Sequence, residues 1–282
     1  MTQQKTFICT GSSGFLGTRL AALLTAQGHE LTHVVRRPAG FKKEILWDFC
    51  SPLSLDMPRC DGLIHLASNV SLGTEFPPSG YLNNTWATHE LAKWCRSNES
   101  HMIFASSIAV HQAEERITPE TQIGPDTHYG MSKYLAEQLI RRELPDATVV
   151  RIAGIYGLDG PAHLGLNTAI TKAIRNGLPP ILNGPGSGRR NYIGLDDAAA
   201  WFVWLALNPT QAPRLTYMAS DETLSIREYL ATLERNVPLN RPMEKRPGND
   251  CGDCLVEPVS PPVSLIPFEE YIKTAVRRVG SN

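Results

Sequence analysis

In the stretch "HYGMSKY", Tyr129 and Lys133 stand four residues apart. On a helix that spacing puts both side chains on one face. A phenol ordinarily titrates near about 10. An ammonium beside it favours the phenolate, so the spacing predicts a tyrosine that gives or takes a proton near neutral pH. Upstream, "FASS" reads as the end of a strand finishing in Ser106 and Ser107. A hydroxyl there points into the crevice where open α/β sheets bind ligands and could hold a substrate carbonyl or hydroxyl. The plainer role for such a serine is to cap the following loop.

A second constellation lies near the start. "TGSSGFLG" sets Gly11, Gly14 and Gly17 around Ser13, Phe15 and Leu16. It follows an apolar strand pattern and opens a helical one. In that setting one glycine makes a tight turn, another lets backbone approach a pyrophosphate, and the last lets helix pack on strand, with the helix N-terminus facing the anion. At the end of the second strand an acid would bind a ribose 2′-hydroxyl. Val35 takes that place, and Arg36 and Arg37 follow. Two guanidiniums suit a 2′-phosphate, so the expected cofactor is NADP, with NAD possible. The plain alternative is a solvated basic turn.

These residues need elements to hold them. "KTFICT", "HELTHVV", "EILWDF", "DGLIHLAS", "HMIFASS" and "ATVVRIAGIYG" read as strands. "TRLAALLTAQG", "YLNNTWATHELAKWCRS" and "YGMSKYLAEQLIRREL" read as helices between them. Alternating β and α units with continuously apolar strands imply a parallel sheet covered on both faces. After about residue 157 Gly/Pro-rich loops alternate with short helices. Residues 237–267 read as loop or extended chain before a last helix near "FEEYIKTAVRR".

The composition sets limits. The 282 residues are 42% hydrophobic and 20% charged, with net charge −1. A chain of this size needs no disulfide or metal to hold a core, and its charge gives no footprint for nucleic acid. "AAAWFVWLAL" is too short to span a bilayer, and the first residues carry no long apolar segment of a secretory leader. Six scattered cysteines suit reduced thiols in a cytoplasm. The pair Cys251 and Cys254 in "CGDC" lacks a second ligand pair for zinc and reads as loop cysteines; no metal is expected.

Taken together, the motifs from residue 5 to about 207 resemble those of the extended short-chain dehydrogenases/reductases, in the NAD(P)-dependent epimerase/dehydratase group. The glycine turn, Ser107, Tyr129 and Lys133 fit that family's cofactor turn and Ser-Tyr-Lys triad. The resemblance implies Rossmann-type α/β architecture, a doubly wound parallel sheet with a small C-terminal substrate lobe. The implied division is 1–157, with 190–207 returning to it, and 158–282. "WDF" resembles the family's adenine-side pair, here Asp48 and Phe49. "HLAS" resembles its strand beside the cofactor, with Ala67. "NTWATHEL" resembles its helix with a cofactor-side Asn, here Asn84. Lys133 would also bind the nicotinamide ribose and depress the Tyr129 pKa. "RRNYIGLDDAAAW" would place Arg190 over substrate phosphates and Asp197 in a structural turn; the alternative for Arg190 is a surface ion pair with Asp196 or another carboxylate. Gly154 replaces the Asn that many nucleotide-sugar members carry and is expected to leave space for the substrate. Ile108 and Ala109 follow Ser107 where dehydratases place an acid, so no 4,6-dehydratase activity is expected. The implied function is an oxidoreductase or epimerase on a small anionic substrate, a nucleotide sugar ahead of a simple ketone. The alternatives are an NADP-dependent reductase of a non-sugar carbonyl and an NADP-sensing protein without turnover. A homodimer is left open.

Overall fold

The computed structural model describes residues 3–53, 57–70, 76–112, 115–257 and 260–280. In chain order the elements begin with β1 (Thr6–Thr10), α1 (Phe15–Ala26), β2 (Glu30–Val35), β3 (Glu44–Leu46) and β4 (Gly62–His65). Then come α2 (Pro78–Tyr81), a π-helical turn (Leu82–Trp86), α3 (Ala87–Ser97), β5 (His101–Ser107), a short 3₁₀ turn (Ile108–Val110), β6 (Arg116–Ile117), α4 (His128–Glu143) and β7 (Thr148–Ile152). The rest is β8 (Ile155–Tyr156), α5 (Gly165–Asn176), β9 (Ile181–Asn183), β10 (Arg189–Arg190), β11 (Ile193–Gly194), α6 (Leu195–Leu207), β12 (Leu215–Met218), β13 (Leu224–Ser225), α7 (Ile226–Asn236), β14 (Glu244–Arg246), β15 (Leu255–Val256) and α8 (Phe268–Gly280).

The chain forms two compact units. One comprises Met1–Gln112, Gln122–Ile152 and Ala199–Tyr217; the other comprises Ala113–Thr121, Ala153–Ala198 and Met218–Asn282. The first unit is built on a seven-stranded sheet in the order β12-β7-β5-β4-β1-β2-β3. Its pairings β1–β2, β1–β4, β2–β3, β4–β5 and β5–β7 are all parallel. The order reverses between β1 and β4, and in open α/β sheets ligands bind in the crevice beyond that point. This is the parallel sheet expected from the alternating pattern, in the Rossmann-type doubly wound form that the resemblance implied. Its strands are largely apolar and buried: Ile8, Leu63, Phe104 and Met102 lie in one buried cluster with Leu91 and Ile140 from α3 and α4. The second unit has its own core, in which Tyr156, Ile170, Tyr229, Leu233, Phe268 and Ile272 pack together from β8, α5, α7 and α8.

Two elements depart from the sequence reading. The strand expected over "EILWDF" stops at Leu46, because Phe49 takes a left-handed φ of 63° and the Asp48 carboxylate folds the next turn onto itself. The helix expected over "YLNNTWATHELAKWCRS" forms, but contains the π-helical turn Leu82–Trp86. Such turns concentrate at functional sites, and this one holds Asn84.

Candidate active site

The glycine turn sits at the C-terminal end of β1. Gly11 has φ +73°, and a Cβ there would stand 2.6 Å from the Ala67 nitrogen on the segment after β4. At Gly17 a Cβ would meet the Gly11 carbonyl oxygen at 2.1 Å, so helix and turn close on each other only through glycine. Helix α1 starts at the N-cap Gly14 with no side-chain cap and no acid in its first turn. Its first N–H groups and its positive dipole end therefore face outward without a partner from a cap, which fits a pyrophosphate. The Ser12 hydroxyl is fully buried at the same turn without a hydrogen-bond partner.

A cleft opens from this turn, lined by Gly11, Ser13, Gly14, Val34, Val35, Arg36, Phe49, Leu66, Ala67, Ser68, Asn69 and Asn83. Arg36 thus stands on the cleft wall beside Val35, and exposed Arg37 follows it. Phe49 borders the cleft with its ring packed on Trp47 in the core. The exposed Asp48 uses one carboxylate oxygen to accept from the backbone nitrogens of Cys50 (2.9 Å) and Ser51 (2.8 Å) and from the Ser51 hydroxyl (2.8 Å). Those bonds, Ser51 foremost, hold its pKa below the ordinary value. Asp48 shapes the loop that presents Phe49.

Below the turn the support is a closed set of hydrogen bonds. His65, fully buried, bonds the Thr10 hydroxyl through Nδ1 at 2.6 Å and the Thr88 hydroxyl through Nε2 at 2.9 Å. The Ala67 N–H donates to that Thr10 hydroxyl at 3.2 Å. Asn84 is 1% exposed and spends both ends of its amide on the protein. Its oxygen accepts from Asn69 N (2.7 Å) and Ser68 Oγ (3.2 Å); its nitrogen donates to Asn69 O (2.9 Å) and Ser132 Oγ (3.0 Å). Asn84 therefore braces the segment under the cleft against α4 rather than reaching into the cleft.

The residues expected to transfer a proton lie at the ends of β5 and α4. Thr127 caps α4 by accepting from the Gly130 N–H at 3.0 Å. Strand alternation turns Ser106 and Ser107 to opposite sides. Ser106 is buried and donates to Glu137, whereas Ser107 accepts from the Ala109 N–H at 3.1 Å and stands near enough to the Tyr129 phenol to pull its pKa down. Ser107 is thus both loop cap and partner of the tyrosine. Ser68 supplies a second hydroxyl to the same phenol.

The electrostatics differ from the expected depression of the Tyr129 pKa. Burial pushes that pKa up to about 12, with the Ser107 and Ser68 hydroxyls pulling the other way. Lys133 is 2% exposed, donates to the Ala105 carbonyl at 2.7 Å and lies 5.9 Å from the centroid of the Tyr129 ring. Burial pushes its own pKa down to about 7. Desolvation of both groups outweighs their attraction.

In the second unit Arg190 donates from Nη1 to the carbonyl oxygens of Arg189 (2.8 Å) and Gly252 (2.7 Å). Arg189 holds Asp253 at 2.6 Å, the Arg190 charge also pulls the Asp253 pKa down, and Asp196 lies 3.7 Å from Arg278. The room expected at Gly154 is taken. A Cβ there would stand 2.6 Å from the Tyr192 ring, so the missing side chain makes way for an aromatic residue rather than for open space. Asp197 accepts from Ile266 N at 3.0 Å, and burial raises its pKa to about 6.

Sequence reasoning missed Ser12, Ser68, Gly130 and Glu137. Only Glu137 carried a signal: it continues the four-residue spacing of Tyr129 and Lys133.

The fold and the paired cleft and proton-transfer cluster define a Rossmann-type dinucleotide-binding chain with a Ser-Tyr-Lys arrangement. The sequence profile of the NAD dependent epimerase/dehydratase family matches residues 7–218, and the chain belongs to that family. It is 31% identical over 195 residues to a D-erythronate dehydrogenase of Haemophilus influenzae, a match spanning 61% of each chain. Among solved structures it resembles a UDP-N-acetylglucosamine 4-epimerase from Bacillus cereus (TM-score 0.79, 18% identity, 98% of this chain and 99% of that one). It also resembles MoeE5 in complex with UDP-glucose and NAD (TM-score 0.76, 21% identity, 97% and 99%). At these identities the structures show a shared fold. Among the described residues no helix is long and apolar enough to cross a membrane, and no group of three or more His, Cys, Asp or Glu could hold a metal ion.

Proposed function

We propose that this chain is a nicotinamide-dependent oxidoreductase or epimerase acting at a carbinol or keto carbon of a small anionic substrate. A nucleotide sugar stands ahead of a simple ketone, and NADP ahead of NAD. The observation that carries this reading is the convergence of Ser107 on the Tyr129 phenol, with the buried Lys133 on the same helix face. When bound, the nicotinamide supplies the hydride acceptor or donor. The protein manages the proton and the geometry.

Ser107 Oγ accepts from Ala109 N, and its one O–H would turn to the substrate oxygen when substrate is bound and to the Tyr129 phenol otherwise. Tyr129 takes the proton from a substrate hydroxyl on oxidation and returns it on reduction. A Lys133 ammonium spends one donor on Ala105 O and has two left for Tyr129 and a ribose hydroxyl. The glycine turn and the uncapped N-terminus of α1 hold the pyrophosphate, and Phe49 packs on the adenine side. Arg36 on the cleft wall favours a 2′-phosphate, with Arg37 assisting. Arg190, held by the Arg189 and Gly252 carbonyl oxygens, is the residue assigned to the substrate's anionic end. Two relatives support the reading: one is named a D-erythronate dehydrogenase, the other is a structure with UDP-glucose and NAD. Six free cysteines fit a reducing cytoplasm.

The test follows nicotinamide absorbance while nucleotide sugars, hydroxy acids and small ketones are supplied to the unaltered protein and to Tyr129→Phe. The variant should bind cofactor normally and lose about 10²–10⁴-fold in turnover. Full turnover by the variant would remove Tyr129 from the mechanism.

A further inference from the structure

Lys133 is one of three charges packed together beneath the cleft. Glu137 follows it by four residues on α4, hence on the same face. Lys133, Glu137 and Arg151 are 2%, 2% and 4% exposed. Consecutive residues of β5 hold the two α4 side chains: Lys133 Nζ donates to Ala105 O at 2.7 Å, and Ser106 Oγ donates to Glu137 Oε1 at 2.5 Å. Arg151, on β7, forks onto the same carboxylate, Nε to Oε1 at 3.1 Å and Nη2 to Oε2 at 2.7 Å. Its Nη1 donates to the Tyr217 hydroxyl at 2.6 Å and lies 3.3 Å from His111 Nε2. His111 Nδ1 faces the Gln122 carbonyl at 3.1 Å, so it is the donor there.

A buried ion pair adds little net stability when compared with apolar residues of similar volume. Its position suggests another use. We propose that Glu137 is a positioning residue for the Lys133 charge: it is the counter-charge of the buried ammonium, and Arg151 limits how much of that negative charge Lys133 feels. This rests on the Ser107–Tyr129–Lys133 reading above. The other groups facing the ammonium are the Phe104 ring at 4.7 Å, the Tyr129 ring on its own helix, and His65 from β4. Burial and the ammonium itself hold His65 neutral, with its pKa down to about 3. Of these neighbours only Glu137 is an anion. Burial pulls the Lys133 pKa down and Glu137 pulls it up.

The experiment is a pH titration of Lys133 in the cofactor-free chain, read by NMR of isotope-labelled lysine side chains. The sequence has eight lysines, and loss of one resonance in Lys133→Met assigns the signal. Glu137→Gln keeps an acceptor for Ser106 but removes the charge and leaves Arg151 cationic. The Lys133 midpoint should fall by about 1–3 pH units. Glu137→Met/Arg151→Met removes both charges, and the midpoint should fall by less. A purely structural pair would lower stability without ordering the midpoints in this way. A Lys133 midpoint in Glu137→Gln indistinguishable from that of the unaltered protein overturns the proposal. If that variant does not fold, the double variant decides: a downward shift supports the proposal and an unshifted midpoint overturns it. The titration needs no substrate, so it stands or falls apart from the turnover of Tyr129→Phe.

Discussion

Adding one methyl group at Gly130 should separate the two halves of the proton-transfer site. Gly130 follows Tyr129 directly, and a Cβ there would lie 2.0 Å from the Ala109 carbonyl oxygen and 2.9 Å from its carbon. Ala109 stands two residues after Ser107, in the 3₁₀ turn that the Ser107 hydroxyl caps. Both obstacles are backbone, so neither can swing aside. Ordinary contact begins at 3.4 Å, so the helix start and the turn must part by about 1.4 Å. That opening falls between Ser107 and Tyr129. A misplacement of about 1 Å at reacting groups costs on the order of 10²-fold in rate, and overpacking of this kind costs about 1–3 kcal/mol in stability. Gly130→Ala should therefore lose roughly 10²-fold in kcat. Its Tm should fall by about 2–4 °C for each kcal/mol lost. Cofactor affinity should hold, since the glycine turn at Gly11–Gly17 lies on β1 and α1. The assays are nicotinamide-linked turnover, cofactor titration by fluorescence, and thermal melting. Unchanged kcat and Tm would show that the close approach does not govern the site. Equal losses of turnover and cofactor affinity would show general disruption instead.

Arg36→Asp should weaken NADP binding about 10–100-fold and spare or improve NAD, because a charge-assisted contact to the 2′-phosphate is lost; equal affinities of the unaltered protein for the two cofactors would sink the assignment. Asp197→Asn keeps the acceptor for Ile266 N and removes a carboxylate that burial raises to about 6. The folded pKa lies above the ordinary 3.8, so this group's stabilisation is full below about 3.8 and disappears as pH rises through about 6. Denaturation profiles should show the variant gaining on the unaltered protein by on the order of 1–3 kcal/mol between pH ~4 and ~8; a pH-independent difference would contradict this. With Ile108 and Ala109 after Ser107, the pure protein should form no 4-keto-6-deoxy sugar nucleotide, checked by mass spectrometry of the products.

Strand and helix order were readable because the physics behind them is local. Apolar runs buried on both faces must be strands of a covered parallel sheet, and a glycine turn between strand and helix fixes the first unit of that sheet. The same locality brought Tyr129 and Lys133 together, since their spacing depends only on the helix repeat. What was not readable depends on distant partners. Gly154 appeared to leave room, but Tyr192, thirty-eight residues on, fills it. Asn84 could be placed beside the cleft but not assigned its partners, because Asn69 and Ser132 reach it only once β4, the π-helical turn and α4 are packed. Ser106 and Ser107 could be told apart only when Glu137 was seen beneath one and Tyr129 above the other.

The electrostatics carry that lesson furthest. Spacing alone argues that Lys133 lowers the Tyr129 pKa, since opposite charges four residues apart favour each other. Enclosure reverses the balance: each charged form must leave water, and burial moves the tyrosine up to about 12 and the lysine down to about 7. Burial thus favours the neutral phenol and works against the ammonium beside it. Those values are the balance left after the neighbouring groups have acted. Within it the Ser107 hydroxyl favours the phenolate and Glu137 favours the ammonium, each against burial. The titration of the tyrosine is thus set by β5 and α4 packed together, and no tetrapeptide could encode it.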